Sequence, residues 1–298
     1  MATLKTGELF TPELVTDMFS KVKGHSSLAV LSGQTPIPFS GTEVFIFNLE
    51  GNAQIVGEGE QKKESDSKVT SKTIKPVKIV YQTRTSDEFM YCSDEKRVKY
   101  MKGFTEGFAV KIAEAFDIAA IHGLEPKSMT DATFKTTNSF DGVVTDNVVK
   151  FEAAKVEENL ESAVEMVILN GGVVNGMALS PNAGSALGKV KVNGVVQYPE
   201  FRFGGKPTNF SGMKTDVNRT LTMKGDTSKS DHAIVGDFEK AFKWGYAENI
   251  PMEVIEYGDP DQTGRDLKAH NEVCLRAEAY IGWGILDATS FARVEEGE

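Results

Sequence analysis

The stretch SDEKRVKYMKGFTEGFAVKIAEAFDIAAIHGLEP, residues 93–126, carries the longest regular pattern in the chain. Apolar side chains recur in it at intervals of three and four residues, the spacing of one helix face. They are Met101, Phe104, Phe108, Ile112, Phe116 and Ala119. Ser93 followed by two acidic residues is typical of a helix start, and Gly123 with Pro126 is typical of a helix end. The pattern predicts one amphipathic helix, the longest of the chain.

Upstream of this helix, the composition predicts a long β-hairpin. Residues 44–56 (VFIFNLEGNAQIV) and 74–83 (IKPVKIVYQT) are rich in β-branched and aromatic residues, which is typical of strands. The polar segment 57–72 between them has no apolar periodicity and is too long for a tight turn. Pro76 within the second strand favours an edge or an exposed ribbon. We therefore expect a hairpin whose distal half projects into solvent or across a neighbouring molecule.

The N-terminal segment combines a short helical pattern with an irregular stretch. Thr11 as N-cap and Pro12 as first helical residue precede an apolar stripe. The stripe consists of Leu14, Val15, Met18, Phe19 and Val22. Residues 25–41 mix Gly, Ser and Pro with isolated apolar side chains, which favours an extended arm lying on another surface. A helix and loop packed on the same subunit explain the pattern equally well.

Beyond the long helix, helical and β patterns are mixed. Residues 151–170 predict a second amphipathic helix, and Ser180 with Pro181 predicts a strand that leads into a short helix. Residues 190–230 have the composition of short strands and loops. The last part of the chain is β-like, and residues 273–281 alternate with a period of two, which predicts a strand with one buried face. This order indicates an α+β fold and not a repeated βαβ fold.

Length and composition are those of an ordinary folded protein. The chain has 298 residues, of which 40% are hydrophobic and 26% charged, enough for one elongated domain or two compact ones. Its net charge of -10 argues against a dedicated DNA-binding protein. Cys92 and Cys274 are interpreted as reduced thiols. Because neither a signal-peptide core nor a membrane-length apolar run is present, the sequence predicts a product made and kept in the cytosol.

No motif in the sequence predicts an enzyme or a metal site. The four histidines lack zinc-ligand spacing, and there is no GxSxG elbow. Residues 184–189 are one residue short of a phosphate-binding loop, and Val190 follows where that loop needs a hydroxyl. The acidic pairs Glu157–Glu158 and Glu295–Glu296 are interpreted as solvated. We therefore expect no catalytic residue, no cofactor and no metal.

Two weaker patterns have both a functional and a structural interpretation. Residues 259–266 copy the first half of a calcium loop, but His270 stands where a bidentate Glu is needed, and an Asp- and Gly-rich turn explains the same residues. Phe201, Phe203 and Phe210 lie near basic residues, as in stacking platforms for single-stranded nucleic acid. In so acidic a chain we expect these rings to pack in a core or an interface.

Four strings, taken in order, carry a resemblance to a known family. They are AQIVGEGEQKKESD (53–66), MALSPNAGSALGKVK (177–191), VGDFEKAFKWGYAENIPMEV (235–254) and NEVCLRAEAYIGWGILDATSFARV (271–294). In this order the chain resembles the major capsid proteins of tailed bacteriophages, which have the Hong Kong ninety-seven fold. The resemblance implies an α+β fold with five regions. These are an N-terminal arm (1–43), an E-loop hairpin (44–83), a peripheral domain with a long spine helix (84–124), an axial domain (125–240) and return strands to the peripheral and axial domains (241–298).

The resemblance also implies a function and a set of partners. Such a chain is a structural subunit and not an enzyme; it assembles with itself into pentamers and hexamers of an icosahedral phage head that encloses double-stranded DNA. It is assembled in the bacterial host cytoplasm and resides in the virion. One implied partner is a portal. Because the chain begins directly with the arm, the resemblance further implies either a separate scaffolding protein or no scaffold. DNA contacts are expected to be weak and without sequence specificity, and neither a membrane nor a small-molecule substrate is expected.

Contacts between subunits are expected from the hairpin tip and the arm. The candidates are Glu58, Glu60, Lys62, Lys63 and Glu64 in the tip and Leu14, Met18 and Phe19 in the arm. An arm and a hairpin that cannot bury their apolar residues in one subunit can bury them on neighbours. Some family members cross-link a hairpin lysine to a neighbour's asparagine. Lys62 or Lys63 could be that lysine, but we find no convincing partner asparagine or acidic catalyst and expect no cross-link.

Three other functions are compatible with parts of the pattern. An encapsulin-like nanocompartment shell shares the fold and would need an apolar groove for a cargo peptide near the N-terminal helix. Another virion protein of the head or tail would share the hairpin but usually lacks the long helix. An α+β hydrolase or transferase would need a nucleophile and base, or metal ligands, in one pocket, and is the least favoured.

Overall fold

The computed structural model describes residues 21, 24–49, 58, 61, 67–223, 230–247 and 252–297. The helices are α1 (Ser27–Leu31), α2 (Asp94–His122), α3 (Lys135–Asn138), α4 (Phe140–Val143), α5 (Val156–Leu169) and α6 (Pro181–Leu187). The strands are β1 (Thr42–Leu49), β2 (Ser67–Ile74), β3 (Val77–Ser86), β4 (Val148–Phe151), β5 (Gly176–Leu179), β6 (Lys191–Val192), β7 (Val195–Val196), β8 (Asn209–Phe210), β9 (Met213–Val217), β10 (Asp231–Gly236), β11 (Phe242–Tyr246), β12 (Met252–Ile255), β13 (Glu272–Ile285) and β14 (Phe291–Glu296). Among the described helices, none combines the length and the apolar character needed to cross a bilayer.

The first sheet is antiparallel and is built around the long strand β13. Strand β3 pairs along one edge of β13, and β12 and β11 pair in turn along the other edge. The predicted alternation in β13 is confirmed, because every second side chain from Leu275 to Ile281 is buried and those between are partly exposed. This buried face is one wall of the first core.

The long helix α2 lies against that buried face. Phe116 of α2 contacts Trp244 and Trp283, with ring-centroid distances of 5.3 and 5.7 Å. The predicted end is confirmed, since Gly123 follows the helix with a φ of 64°, a left-handed conformation that suits glycine. The predicted start is also confirmed, since Ser93 occupies the N-cap position before Asp94, although its side chain makes no capping hydrogen bond. Ser93 is exposed there, so water can satisfy the first N–H groups of the helix.

The second sheet has the strand order β4, β14, β10, β5, β9, β8. Two neighbouring pairs, β14 with β4 and β5 with β9, are parallel, and the other pairs are antiparallel. Helix α5 packs on this sheet with the apolar face that the sequence predicts, although it begins at Val156 and not near residue 151. The predicted start of α6 is confirmed, because Ser180 Oγ accepts a hydrogen bond from the Ala183 N–H at 3.1 Å.

The predicted hairpin is present but with a different second strand. Strand β1 pairs with β2 in a register that runs from Thr42 opposite Ile74 to Leu49 opposite Ser67. The prediction that residues 74–83 pair with the first strand is wrong, because β3 pairs with β13 instead. Pro76 lies between β2 and β3, where its fixed φ and missing N–H interrupt the strand. Strand β2 is polar because neither face of a two-stranded ribbon has to be buried within the subunit.

Candidate assembly surfaces

The ribbon formed by β1 and β2 presents apolar side chains to solvent. Phe45 is 58% exposed and Val69 is 52% exposed. Phe45 lies opposite Ser71, and Val69 precedes Ser71 by two residues on the same strand, so Phe45 and Val69 are diagonal neighbours on one side of the ribbon. We call this side the ribbon face. An isolated two-stranded ribbon is at best marginally stable in water. The ribbon face is therefore suited to pack against another molecule.

The base of the ribbon is fixed to its own subunit. Ile74 is buried and packs over Gly284, where a Cβ would come within 2.9 Å of the Ile74 side chain. Lys72 Nζ donates hydrogen bonds to the carbonyl oxygens of Ile285 at 2.7 Å and Thr137 at 3.3 Å. Burial lowers the pKa of Lys72. The ribbon is thus anchored at one end, while its described apolar face is open.

Three aromatic residues singled out in the sequence do not form a stacking platform. Phe201 is buried in the second core, and Phe210 packs against it at a ring-centroid distance of 5.1 Å. Phe203 is 97% exposed and has a φ of 55°. Core packing, as expected, accounts for the first two rings. A single exposed ring is ordinary on a protein surface and does not by itself mark a contact.

A cluster of buried charged side chains joins α2 to the second sheet. This buried junction consists of His122 of α2, Asp141 of α4, Asp231 of β10 and Arg293 of β14. One guanidinium nitrogen of Arg293, Nη2, lies 2.9 Å from an Asp231 oxygen and 3.0 Å from an Asp141 oxygen. His122 Nδ1 lies 3.2 Å from Asp141 Oδ2, and its Nε2 lies 3.0 Å from the carbonyl oxygen of Thr220. All four side chains of the junction are at most 5% exposed.

Opposite charges lie side by side in the buried junction. Burial would raise the pKa of Asp141, but hydrogen bonding to His122 and the charge of Arg293 hold it well below its ordinary value. Burial would lower the pKa of Arg293, but Asp231 and Asp141 raise it. Ligand atoms of His122, Asp141 and Asp231 lie within 4.8 Å of one another, as in metal sites. The Arg293 guanidinium already supplies the positive charge between the two carboxylates, so the cluster is a structural ion-pair network.

A hydrogen-bonded row of Ser180, His232 and Glu296 has the composition of a hydrolytic triad. Ser180 Oγ lies 3.1 Å from His232 Nδ1, and His232 Nε2 contacts the Glu296 carboxylate. However, Ser180 is fully buried and its oxygen already caps α6. Phe151 covers the His232 ring at a centroid distance of 3.8 Å. A serine enclosed in this way is not accessible to a substrate, so the row ties α6, β10 and β14 together.

Asp117 anchors the segment before α1 to the long helix. Its carboxylate accepts hydrogen bonds from Ser26 Oγ at 2.5 Å, from the Ser27 N–H at 2.9 Å and from Thr220 Oγ1 at 2.8 Å. Burial raises the pKa of Asp117 to about 6, against the lowering effect of these hydrogen bonds. The anchor fixes the segment around residue 26 onto the C-terminal part of α2.

Comparison with known proteins shows to which family the chain belongs. Residues 7–295 match the family model described as "Phage capsid family". The chain belongs to the phage capsid family. A curated relative, named "Probable major capsid protein gp17" of Mycobacterium phage D29, is 23% identical over 300 residues, which cover 94% of this chain and 87% of that protein.

Solved structures of similar chains agree with the family. A chain from Mycobacterium phage Ogopogo is 29% identical, with a TM-score of 0.77 over 91% of this chain and 92% of its own. A chain from Gordonia phage Cozz is 24% identical, with a TM-score of 0.72 over 94% and 87%. A chain titled "Capsid of native GTA particle computed with C5 symmetry" is 12% identical, with a TM-score of 0.61 over 91% and 90%, and shows the fold alone.

The predicted family and class of function are therefore confirmed. This protein is a major capsid protein of a tailed-phage head, with an α+β fold of the Hong Kong ninety-seven type. It is a structural component of the virion capsid and not an enzyme.

Most of the predicted contact residues of this capsid protein lie outside the described residues. Glu58 is described and is exposed in a turn. The others, Glu60, Lys62, Lys63, Glu64, Leu14, Met18 and Phe19, lie outside, so their role in subunit contacts stays a prediction. Sequence reasoning missed the ribbon face and the buried junction. An available signal for the junction was Arg293, a charged residue within the otherwise apolar run FARV.

Proposed function

We propose that this capsid protein assembles into pentamers and hexamers of an icosahedral head that encloses double-stranded DNA. The observation that carries the proposal is the ribbon face, with Phe45 and Val69 exposed on a ribbon whose described anchoring contacts to the rest of the subunit lie at its base. Apolar side chains in this position gain stability when a neighbour removes them from water, at about 25 cal/mol per Å² of buried apolar surface. A neighbouring subunit is therefore the expected partner of the ribbon.

On this proposal, each region of the chain has a role in the shell. Residues 1–43 are the N-terminal arm, and residues 44–83 are the E-loop, which contains most of the ribbon. Residues 84–124 form the peripheral domain with α2 as its spine helix, residues 125–240 form the axial domain, and residues 241–298 return to the two domains. The projecting ribbon, the length of α2 and the separate second sheet support this division.

The proposed partners beyond the shell itself follow from its charge and its task. A net charge of -10 keeps the packaged phosphate backbone from binding tightly, so DNA contacts are weak and do not depend on sequence. A portal and a separate scaffolding protein are the further partners that we propose. The contact candidates Glu58 to Glu64 of the ribbon tip would meet a neighbouring subunit.

The proposal is tested by shortening the ribbon tip. Replacing residues 57–66 with a short Gly-Ser turn leaves the paired residues of β1 and β2 in place. We expect an unchanged circular dichroism spectrum, because loop changes that remove no buried contact cost little stability. Electron microscopy should show that closed shells are lost.

A matched control changes a polar segment elsewhere. An equal-length Gly-Ser replacement of residues 224–229, KGDTSK, alters a segment of similar composition away from the ribbon in sequence. This control should still form shells. Normal shells from the variant with the shortened tip, or loss of its helical signal, would contradict the assigned role of the ribbon.

A further inference from the structure

The turn between β12 and β13 follows the numbering of a calcium loop. Asp259, Asp261 and Thr263 occupy positions one, three and five of such a loop, and Gly264 occupies position six. Gly264 has a φ of 77°, which allows the sharp turn that a calcium loop makes at this position. Asp259 closes the turn by accepting hydrogen bonds from the N–H groups of Thr263 at 3.1 Å and Gly264 at 2.6 Å.

A guanidinium group lies among the oxygen atoms that would bind the ion. Arg84 of β3 donates from Nη2 to Asp259 Oδ1 at 2.7 Å and to Thr263 Oγ1 at 2.9 Å. Its Nε donates to Asp261 Oδ2 at 2.8 Å, and Nη2 also contacts the other oxygen of that carboxylate. The side chains at positions one, three and five of the loop therefore all accept hydrogen bonds from one residue, Arg84 of β3.

The remaining nitrogen of the Arg84 guanidinium, Nη1, contacts two further oxygen atoms around the loop. Nη1 donates to the carbonyl oxygen of Arg265 at 2.9 Å, and Arg265 is at position seven, where a calcium loop uses its backbone carbonyl. Nη1 also lies 3.2 Å from Glu272 Oε2. Glu272 thus supplies the carboxylate that His270 at position twelve does not.

The guanidinium of Arg84 is held in its positively charged form. The Arg84 side chain is 16% exposed, and its hydrogen bond to Asp261 raises the pKa of the guanidinium. The same hydrogen bond lowers the pKa of Asp261 well below its ordinary range. A planar guanidinium with five donors can satisfy several oxygens at once, which a lysine ammonium does less well.

We propose that residues 259–265 form a calcium-type loop whose cation is the guanidinium of Arg84. Because the Arg84 guanidinium takes the place of the ion, the loop stays ordered without a divalent cation. Arg84 also ties the loop to β3, the strand that follows the base of the ribbon in sequence. This arrangement holds whether or not the protein forms the shell proposed above. In the wild-type protein the loop takes up no calcium, and without Arg84 its oxygens become available to a divalent cation.

The test is the variant Arg84→Gln in the full chain, compared with wild type at increasing calcium concentrations. The variant should melt about 5 °C lower than wild type, and amide hydrogen exchange in peptides covering 259–266 should be on the order of tenfold faster. About 1 mM calcium should restore both properties in the variant. The wild-type protein should show no calcium-dependent change in melting, in loop exchange or in calorimetric titration.

Two further variants serve as controls. Arg276→Gln removes a neighbouring guanidinium that binds Gln82, Glu253 and the carbonyl oxygen of Pro260 but none of the oxygens at positions one, three, five and seven, so calcium should not alter its melting or exchange. Adding Asp259→Asn to Arg84→Gln removes a ligand of the loop and should abolish the calcium response.

Several outcomes would overturn the inference. They are calcium binding to the loop of the wild-type protein, a folded Arg84→Gln variant without a calcium response, or a response that survives Asp259→Asn. If Arg84→Gln does not fold without calcium, Arg84→Lys, which keeps the charge but not the fork, takes its place. If the loop amides of Arg84→Lys exchange faster than in wild type and calcium slows them again, the inference is supported. If calcium leaves their exchange unchanged, the inference is contradicted.

Discussion

The buried junction and the ribbon belong to one subunit but depend on their surroundings in opposite ways. In the junction, Arg293 and its carboxylate partners lie out of reach of water, and the subunit itself supplies opposite charges side by side. In the ribbon, Phe45 and Val69 remain in water because no described element of the subunit covers them. A mutation in the junction should therefore act on folding, whereas a mutation on the ribbon face should act on assembly.

The largest effect is expected from breaking the junction with Arg293→Met. This change leaves Asp141 and Asp231 buried next to each other without the guanidinium between them. Removing one partner of a buried ion pair costs about 3–5 kcal/mol of unfolding free energy. Urea unfolding of the subunit measures the loss.

The control is the partly exposed Arg276. Arg276→Met should lower the unfolding free energy by less than about 1 kcal/mol. Similar losses in both variants would mean that the junction is not a special source of stability.

A smaller effect is expected from the titration of Asp117. Its folded-state pKa of about 6 lies above the ordinary value of 3.8, so the folded protein binds this proton more tightly than the unfolded chain does. The cost of the buried charge is fully present above pH 6 and is relieved as the pH falls toward 3.8. Between pH 7 and pH 5, Asp117 should therefore add about 1 kcal/mol to the unfolding free energy.

The matched protein for this titration is Asp117→Asn. Its side chain does not titrate, so the unfolding free energy of wild type relative to the variant should rise as the pH falls from 7 to 5. Denaturant unfolding of both proteins at the two pH values gives the difference. Parallel pH profiles for the two proteins would contradict the raised pKa of Asp117.

The smallest effect on stability is expected from the ribbon face. Changing Phe45 and Val69 together to serine removes exposed side chains and should alter the unfolding free energy by no more than about 0.5 kcal/mol. Shell formation, followed by electron microscopy and sedimentation, should nevertheless be lost. Val192→Ser, a change of an equally exposed valine on β6 outside the proposed E-loop, should preserve shells. A large loss of subunit stability in the double variant would contradict the open state of the ribbon face.

Local rules in the sequence predicted the elements that depend on neighbouring residues. The apolar spacing of α2, the Ser180 cap of α6 and the alternation in β13 each follow from side chains a few residues apart, and each is confirmed. The strand that pairs with β1 was predicted incorrectly. Polar β2 carries no apolar alternation, and the apolar β3 matched the strand pattern better although its partner is β13.

The contacts between distant residues could not be predicted in the same way. His122, Asp141 and Arg293 show no spacing in the sequence that brings them together, since two helices and the second sheet must first fold around them. Arg84 and the loop at Asp259 are likewise joined only by the pairing of β3 with β13. The sequence could show an incomplete calcium loop, but it could not show that an arginine completes it.

Hydrogen exchange in assembled heads and in dissociated subunits compares the two regions most directly. A ribbon that is completed by a neighbour should exchange its β1 and β2 amides on the order of tenfold more slowly in heads than in subunits. Amides of β10 and β14 around the junction should exchange at the same rate in both forms. Equal exchange of the ribbon amides in heads and subunits would contradict the claim that the ribbon depends on a neighbouring subunit.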